Sequence, residues 1–404
     1  MNLGIQRRDG VQMGDYNWQA LYPDMVKWRR YLHQHPELSY QEHQTMEFVA
    51  ERLRSFGVEI QVGAGDTGVI GVIKGSLPGK TVALRADMDA LPIQDEKECE
   101  YASQVPDVMH ACGHDGHTSG LLAVARYFSE NREQLRGEVR LIFQPGEEVC
   151  PGGALKMIDA GALEGVDAIY GVHLWTPFAA GTLASAPGPV MASTDEFFIT
   201  ITGKGGHGGI PHVTVDSLLT GAQLVVQLQS IISRNVNPLN PAVLTVGTIQ
   251  SGTAQNIIAE NCRITGTVRT FDEETRALIR QRIEEVSRQL CALNGATVDI
   301  EYMMGYPTLV NHAGETERFF RVAEEMFGKE QVFQTPPMMP AEDFAYYVQK
   351  VPGCFIFVGA GNASSGAIYP HHHARFDIDE SSMLNAARIL AGMAEDFLNQ
   401  PEIE

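Results

Sequence analysis

EFFITITG, residues 196–203, opens the stretch whose reading decides the fold. It reads as a strand. After it come a helix over 216–233, the strands AVLTVGTI (242–249) and CRITGTVRT (262–270), a helix over 273–293 and the strand ATVDIEYM (296–303). The order βαββαβ is that of the ferredoxin-like split arrangement. The second helix supports it, because Ile279, Ile283, Val286 and Leu290 make one apolar stripe. About 110 residues suffice for a domain of their own.

On either side the texture differs. Upstream, helical patterns cover 18–33 and 41–56. In the second, Met46, Val49, Leu53 and Phe56 recur at helical spacing before Gly57 stops it. Then follow the apolar runs VIGVIK (69–74) and TVALRA (81–86), a helix carrying GLLAVARYF (120–128), the strand EVRLIFQ (138–144), a short helix over 154–160 and the strand DAIYGVHL (167–174). Downstream the alternation resumes, with helices over 317–327 and 343–349, the strand CFIFVGA (354–360) and a closing helix over 382–399. Near-continuous apolar strands alternating with helices predict an α/β sheet covered on both faces. The expected organisation is a discontinuous larger domain, 15–190 with 306–404, interrupted by a smaller one at 191–305. Residues 1–14 read as a frayed leader.

The 404 residues are 44% hydrophobic and 20% charged, ordinary for a globular protein. Thirty Lys+Arg against 50 Asp+Glu leave a formal charge of −20. A surface that acidic repels phosphate backbones and offers anionic lipid no basic handle, so neither nucleic acid nor membrane is an expected partner. No apolar run approaches the ~20 residues that span a bilayer. MNLGIQRRDGVQMGDYNWQ has no apolar core for a signal peptide. The six cysteines are scattered without a CxxC pair, so free thiols and a cytoplasmic location are expected.

Four polar clusters fall at the ends of expected strands, where open α/β sheets bind ligands. In LRADMDALP (84–92), Asp87 and Asp89 are alternate residues and can face one site; a capped turn explains them equally well. In HACGHDGH (110–117), Cys112 and His114 flank a glycine and can reach one ion, a donor pair suited to zinc and its neighbours. The same cysteine can be a nucleophile with a histidine as base. In FQPGEEVCPGG (143–153), one of Glu147 and Glu148 can ligate a metal while the other takes a proton from water; a solvated acidic turn is the plain alternative. YPHHHARFD (369–377) brings three histidines, and GVHLW (171–175) adds His173. Within the smaller domain, GKGGHGGIPH (203–212) sets His207 among glycines, where backbone can approach a ligand. Asn256 and Arg269 can together hold a carboxylate, although Arg269 alone is as well explained by a surface ion pair.

Seven of these motifs, in order, resemble the metallopeptidase M20 family and more narrowly its amidohydrolase branch of N-acyl-amino-acid, hippurate and auxin-conjugate hydrolases. They are LRADMDALP, HACGHDGH, QPGEE, GVH, GKGGHGGIPH, QNIIAE and the histidines before RFD. The resemblance runs from HQHPELSYQE (33–42) to FDIDE (376–380). It implies a zinc-peptidase-like catalytic domain, with a mixed sheet between helices, and an inserted ferredoxin-like lid that makes a homodimer or homotetramer. It implies two divalent ions per subunit (Zn, Mn, Co or Ni), held by Cys112, His114, Glu148, His173 and His372, with the thiolate bridging. His372 is the histidine four residues before Phe376; His371 and His373 flank it, and Ala374 stands where relatives often have proline. Glu147 would be the general base and Asp89 would orient a ligand, with Asp87 close by. His207 of a partner subunit would meet the oxyanion, and Asn256 and Arg269 would hold the substrate. His110 and His117 keep supporting roles, and Asp115 has none.

The expected reaction is metal-dependent cleavage of the amide of a small-molecule N-acyl-L-amino acid. Di- or tripeptidase, carboxypeptidase and N-acetyldiaminopimelate deacetylase are the alternatives within the family. Outside it stand a thiol enzyme using Cys112 and a non-catalytic metal-binding protein.

Overall fold

The computed structural model describes residues 16–400, and the leader expected over 1–14 lies outside them. In chain order the elements are α1 (Trp18–Gln34), α2 (His43–Ser55), β1 (Glu59–Ala64), β2 (Gly68–Lys74), β3 (Leu77–Asp87), α3 (His114–Glu130), β4 (Arg136–Gln144), α4 (Gly153–Asp159), β5 (Ala168–Ala179), β6 (Leu183–Ser185), β7 (Gly188–Met191), β8 (Ser193–Thr202), β9 (Gly206–His207), α5 (Ser217–Arg234), β10 (Ala242–Ser251), β11 (Ile257–Ile258), β12 (Asn261–Thr270), α6 (Glu273–Leu293), β13 (Thr297–Met304), β14 (Leu309–Asn311), α7 (Ala313–Phe327), β15 (Val332–Gln334), α8 (Ala345–Val348), β16 (Gly353–Gly361) and α9 (Ser381–Leu398). They make two compact units. The larger comprises the chain up to Gly188, Val310–Pro336 and the chain from Tyr346 onward; the smaller comprises Pro189–Leu309 and Pro337–Ala345. The segment 337–345, expected in the larger unit, groups with the smaller. There the Met338 amide donates to Val190 O at 2.9 Å, and the Ala192 amide to Met338 O at 3.0 Å.

The larger unit holds a mixed sheet in the order β1-β2-β4-β3-β5-β16-β6-β15. Its centre, β4, β3, β5 and β16, is parallel; toward one rim β2 and β1 each pair antiparallel, and toward the other β6 is antiparallel to β16 and parallel to β15. Ala168 to Trp175 of β5 are buried without alternation, so both faces of the sheet are covered there. α1 presents Leu21, Met25, Trp28 and Leu32 to a core it shares with Leu121 and Val124 of α3 and with Leu390 and Met393 of α9. Gly116 lets α3 press onto β5, since a Cβ there would come within 2.6 Å of the Leu174 side chain.

Parallel central strands share one carboxyl edge. Asp87, the last residue of β3, lies opposite Gln144, the last of β4. The polar loops after these strands therefore emerge side by side.

Several elements differ from expectation, the short strands β6, β7, β9, β11, β14 and β15 among them. α3 begins at His114, inside HACGHDGH, because Gly113 takes a left-handed conformation (φ +92°) that turns the chain directly into the helix. The helix expected over 343–349 is one turn, α8. β1 was not expected; Ile60, Val62 and Ala64 do alternate along it, but the strand is short and most of its residues are exposed.

The smaller unit has the antiparallel order β10-β12-β8-β13 with α5 and α6, the strand order of the split βαββαβ arrangement. The caps are side chains: Asp216 accepts from Leu219 N at the start of α5, and Asp272 from Thr275 N at the start of α6. Ile279, Ile283 and Val286 of α6 are buried against Phe197, Ile199 and Ile201 of β8. Asp195 anchors one end of the sheet, taking Arg276 at 2.6 Å, Tyr302 Oη at 2.8 Å and the Gly305 amide at 3.1 Å. All six cysteines are free. Among the described residues no helix is long and apolar enough to cross a membrane.

Candidate metal centre

The loops after β3 and β4, the start of α3, a mid-strand histidine of β5 and the loop after β16 meet within the larger unit. Cys112 Sγ lies 3.5 Å from His173 Nε2. Glu148 Oε1 lies 3.4 Å from His372 Nε2 and 3.9 Å from His114 Nε2. Ligands 2.0–2.3 Å from a shared tetrahedral ion stand roughly 3.3–3.8 Å apart, so these gaps have the span of ion-bridged pairs. Within the larger unit four such groups occur among the described residues: Cys112 with His173 and His371, Cys112 with Glu148 and His372, His114 with Glu147 and Glu148, and Asp87 with His114 and His117. Cys112 and Glu148 each belong to two of them, as ligands shared by neighbouring ions would.

Neighbouring groups decide which ring atom faces inward. His114 Nδ1 points at Asp89, 2.9 Å from its carbonyl and 3.2 Å from Oδ1, which turns Nε2 toward Glu148. His114 Nε2 and Glu148 Oε1 are both buried without a hydrogen-bond partner. Leaving such atoms bare costs about 1–3 kcal/mol each, and a cation between them satisfies both. His173 Nδ1 is 3.0 Å from Leu174 O, freeing Nε2 to face Cys112. These atoms fit a metal. His117 is different. Its Nε2 accepts from Leu174 N at 2.8 Å and its Nδ1 donates to Asp87 at 2.6 Å, so both nitrogens are engaged. Asp87 also takes Arg85 at 2.6 Å and braces the site from behind.

The three C-terminal histidines part ways. His371 stacks on Trp175 with centroids 4.4 Å apart, and its Nε2 is 3.0 Å from Leu174 O. His372 has a left-handed backbone, φ +63°, held by its amide donating to Ala111 O at 2.8 Å. A non-glycine residue there is strained, as at many ligand-clamping positions. His373 stacks on Tyr369 and accepts from Arg375 N.

The electrostatics favour a cation. Burial pushes the Cys112 thiol well up, and Glu148, Glu147 and Asp87 push it further. Burial opposes a charge on His114, yet Asp87, Asp89 and Glu148 raise its pKa to about 10. Burial, then the imidazoles of His117 and His371, hold His173 well below its usual value and neutral. A thiol that resists ionisation among carboxylates is a poor free nucleophile, which removes the ground for Cys112 as a thiol-enzyme nucleophile.

In the smaller unit His207 and Asn256 lie together. β9 and β11 pair with Ile257 opposite His207, and Gly208 N donates to Asn256 O at 2.8 Å. The His207 ring is exposed and its Nδ1 accepts from Gly209 N at 2.9 Å, leaving Nε2 to carry the proton. Arg269 stands near the opposite end of β12, paired with Thr194, while Asn261 at the near end pairs with Thr202. The eight residue steps from Asn261 to Arg269 span roughly 26 Å of strand. Within one chain Asn256 and Arg269 therefore do not converge.

A polar layer behind the site escaped the sequence reading. Arg29 Nε and His33 Nδ1 converge on Asp115 at 2.7 and 2.8 Å, all three buried. Arg29 follows Met25 by four on the apolar stripe of α1, and a cation on a buried stripe is the signal that could have found it.

The sequence profile of peptidase family M20/M25/M40 matches residues 83–396. An N-acyl-L-amino acid amidohydrolase of Geobacillus stearothermophilus is 48% identical over 289 residues, 72% of this chain and 78% of that protein. Thermostable carboxypeptidase 1 of Saccharolobus solfataricus is 41% identical over 93% of this chain and 96% of its own length. The crystal structure of Bacillus subtilis YxeP, described as a dinuclear metal binding peptidase, aligns with TM-score 0.82 at 33% identity over 95% of this chain and 99% of that one. Since the profile spans most of its length, this chain belongs to peptidase family M20/M25/M40 and is a metal-dependent amide hydrolase.

Proposed function

We propose that the protein hydrolyses N-acyl-L-amino acids to a carboxylic acid and a free amino acid, using two divalent ions per subunit. The observation that carries the reading is the pair of buried ligand atoms without a hydrogen-bond partner, His114 Nε2 and Glu148 Oε1, beside the second carboxylate Glu147. Cys112, His114, Glu148, His173 and His372 would hold the metals, with His371 the other C-terminal histidine in reach. When bound, the ions lower the pKa of water and polarise the amide carbonyl. Glu147, 7% exposed, takes the proton of the attacking water and returns it to the leaving nitrogen. His207 donates from Nε2 to the oxygen that gains charge. Asn256 and Arg269 bind the substrate's carboxylate end. Because they lie at opposite ends of one sheet, one site draws on both only in a dimer whose lid supplies His207 and Asn256 across the interface.

Glu147→Gln should keep its metals by elemental analysis and lose about 10²–10⁴-fold in turnover. Near-normal turnover in that variant would refute the base assignment. Chelation should abolish activity, and thiol alkylation of the metal-loaded enzyme should spare it. The Saccharolobus relative favours a second reading, a carboxypeptidase. Acetyl- and benzoyl-amino acids set against dipeptides separate the two, and faster cleavage of the dipeptides would select the second.

A further inference from the structure

The segment Ser39–Glu42 runs beside the candidate metal centre and belongs to none of the candidate ligand groups among the described residues. Its neighbour Ala90 donates to Glu37 O at 2.8 Å, and Leu38 bridges Ala90. Ser39 Oγ donates to Asp89 Oδ2 at 2.7 Å, the same oxygen that accepts the Glu148 amide at 2.9 Å. Glu42 is fully buried. Its Oε1 takes the Gly146 amide at 2.8 Å and its Oε2 takes Thr67 Oγ1 at 2.5 Å. Gly146 is the residue before Glu147. It has φ +63°, and a Cβ there would meet the Tyr40 ring at 2.7 Å. The Gly146 carbonyl in turn takes the Gly153 amide at 3.0 Å.

Glu42 occupies the N-cap position of α2 but does not cap it. Glu37 covers that end instead, accepting from the Gln44 and Thr45 amides at 3.1 and 2.9 Å. A buried carboxylate is thus spent on a peptide 104 residues away, and a second acid does its local task. A carboxylate that bears the cost of desolvation and reaches past the first amides of α2 to the Gly146 peptide points to the turn it grips.

We propose that Glu42 and Ser39 are positioning residues for the Gly146–Glu147–Glu148 turn: Glu42 sets its entry by holding the Gly146 amide, and Ser39 ties its exit to Asp89. This rests on reading Glu147 as base and Glu148 as metal ligand. A displacement of about 1 Å at a reacting group is worth roughly 10²-fold in rate, and loss of a group that orients a ligand costs about 10–100-fold in metal affinity.

The test uses the full chain. Metal affinity of Glu42→Ala, Glu42→Gln and Ser39→Ala is measured by competition with a chromophoric chelator, alongside unfolding midpoints and kcat and KM at saturating metal. Glu42→Ala should weaken metal binding about 10–100-fold and lower kcat at least as much, with KM within about threefold. Glu42→Gln keeps an acceptor for the amide and should recover most of both. Ser39→Ala, a small change at a partly exposed residue, should weaken binding by a few-fold with an unchanged midpoint. Wild-type affinity and kcat in Glu42→Ala would overturn the proposal. So would Glu42→Gln falling as far as Glu42→Ala with a matching drop in midpoint, the mark of a merely structural role. The metal readout does not depend on the base. If Glu147→Gln keeps its turnover while Glu42→Ala loses metal, the base assignment fails and the positioning role stands.

Discussion

Asp115 sits on the first turn of α3, one residue after His114, so whatever fixes Asp115 fixes a candidate metal ligand. It is fixed by Arg29 and His33, 86 and 82 residues earlier. Burial alone would raise its pKa; Arg29 and then His33 reverse that and hold the carboxyl well below its usual range. A depressed carboxyl adds stability that is present above the unfolded pKa of about 3.9 and is lost as pH falls toward the folded value. Asp115→Ala would leave Arg29 buried with Asp377 at 2.6 Å and Glu380 at 3.4 Å. Removing one partner of a buried pair costs about 3–5 kcal/mol, and the remaining acids place this case at the low end. Urea unfolding at pH 7 measures it, and a loss below about 1 kcal/mol would show that Asp377 and Glu380 suffice for Arg29. HACGHDGH announced its metal donors by composition, since cysteine, histidine and glycine crowd eight residues. It could not announce this pair, because a charge partner so distant leaves no local pattern.

Helices α3 and α9 meet through a titrating contact. Tyr127 of α3 donates to Glu395 of α9. Burial raises the Glu395 pKa from 4.5 to about 7, only partly opposed by the tyrosine. The folded state therefore holds this proton more tightly than the unfolded chain. The sign follows: the stabilisation is complete below about pH 4.5 and is lost as pH rises through 7. The shift corresponds to at most about 3 kcal/mol. Glu395→Gln keeps an acceptor for Tyr127 and removes the charge. Its unfolding midpoint should exceed that of the parent at pH 8 and match it near pH 5; equal midpoints at both values would show that Glu395 titrates normally. The helices themselves were legible because each carries a 3.6-residue apolar stripe, as do Leu21, Met25, Trp28 and Leu32 of α1. β1 does carry a period-2 pattern at Ile60, Val62 and Ala64, but six residues on an exposed rim, followed by Gly65, read equally well as a loop. The early start of α3 turns on the backbone angle of Gly113, which periodicity does not report.

At the scale of the molecule, the loops that meet at the candidate metal centre were marked in the sequence, because they follow strands whose parallel centre shares an edge. The sequence did not reveal which side chains serve the same site. Asn256 and Arg269 are close in sequence, but Arg269 stands roughly 26 Å along β12 from Asn261, the end of the strand nearer Asn256. His207 goes with Asn256. If one substrate is held by all three, His207 and Asn256 belong to the lid of a second subunit. Subunit mixing tests this without knowledge of the interface. Glu147→Gln lacks the proposed base but retains a sound lid; His207→Ala lacks the proposed oxyanion donor but retains that base. Each homodimer is impaired at both sites. A mixed dimer acting across the interface has one site with Glu147 from one chain and His207 from the other, so statistical mixing of equal amounts restores about a quarter of wild-type sites. Were His207 to act within its own chain, every site in the mixture would lack one group and activity would remain at the level of the separate variants. Recovery after co-refolding therefore assigns His207 to the partner subunit, and its absence in a mixture shown to contain mixed dimers assigns it to its own.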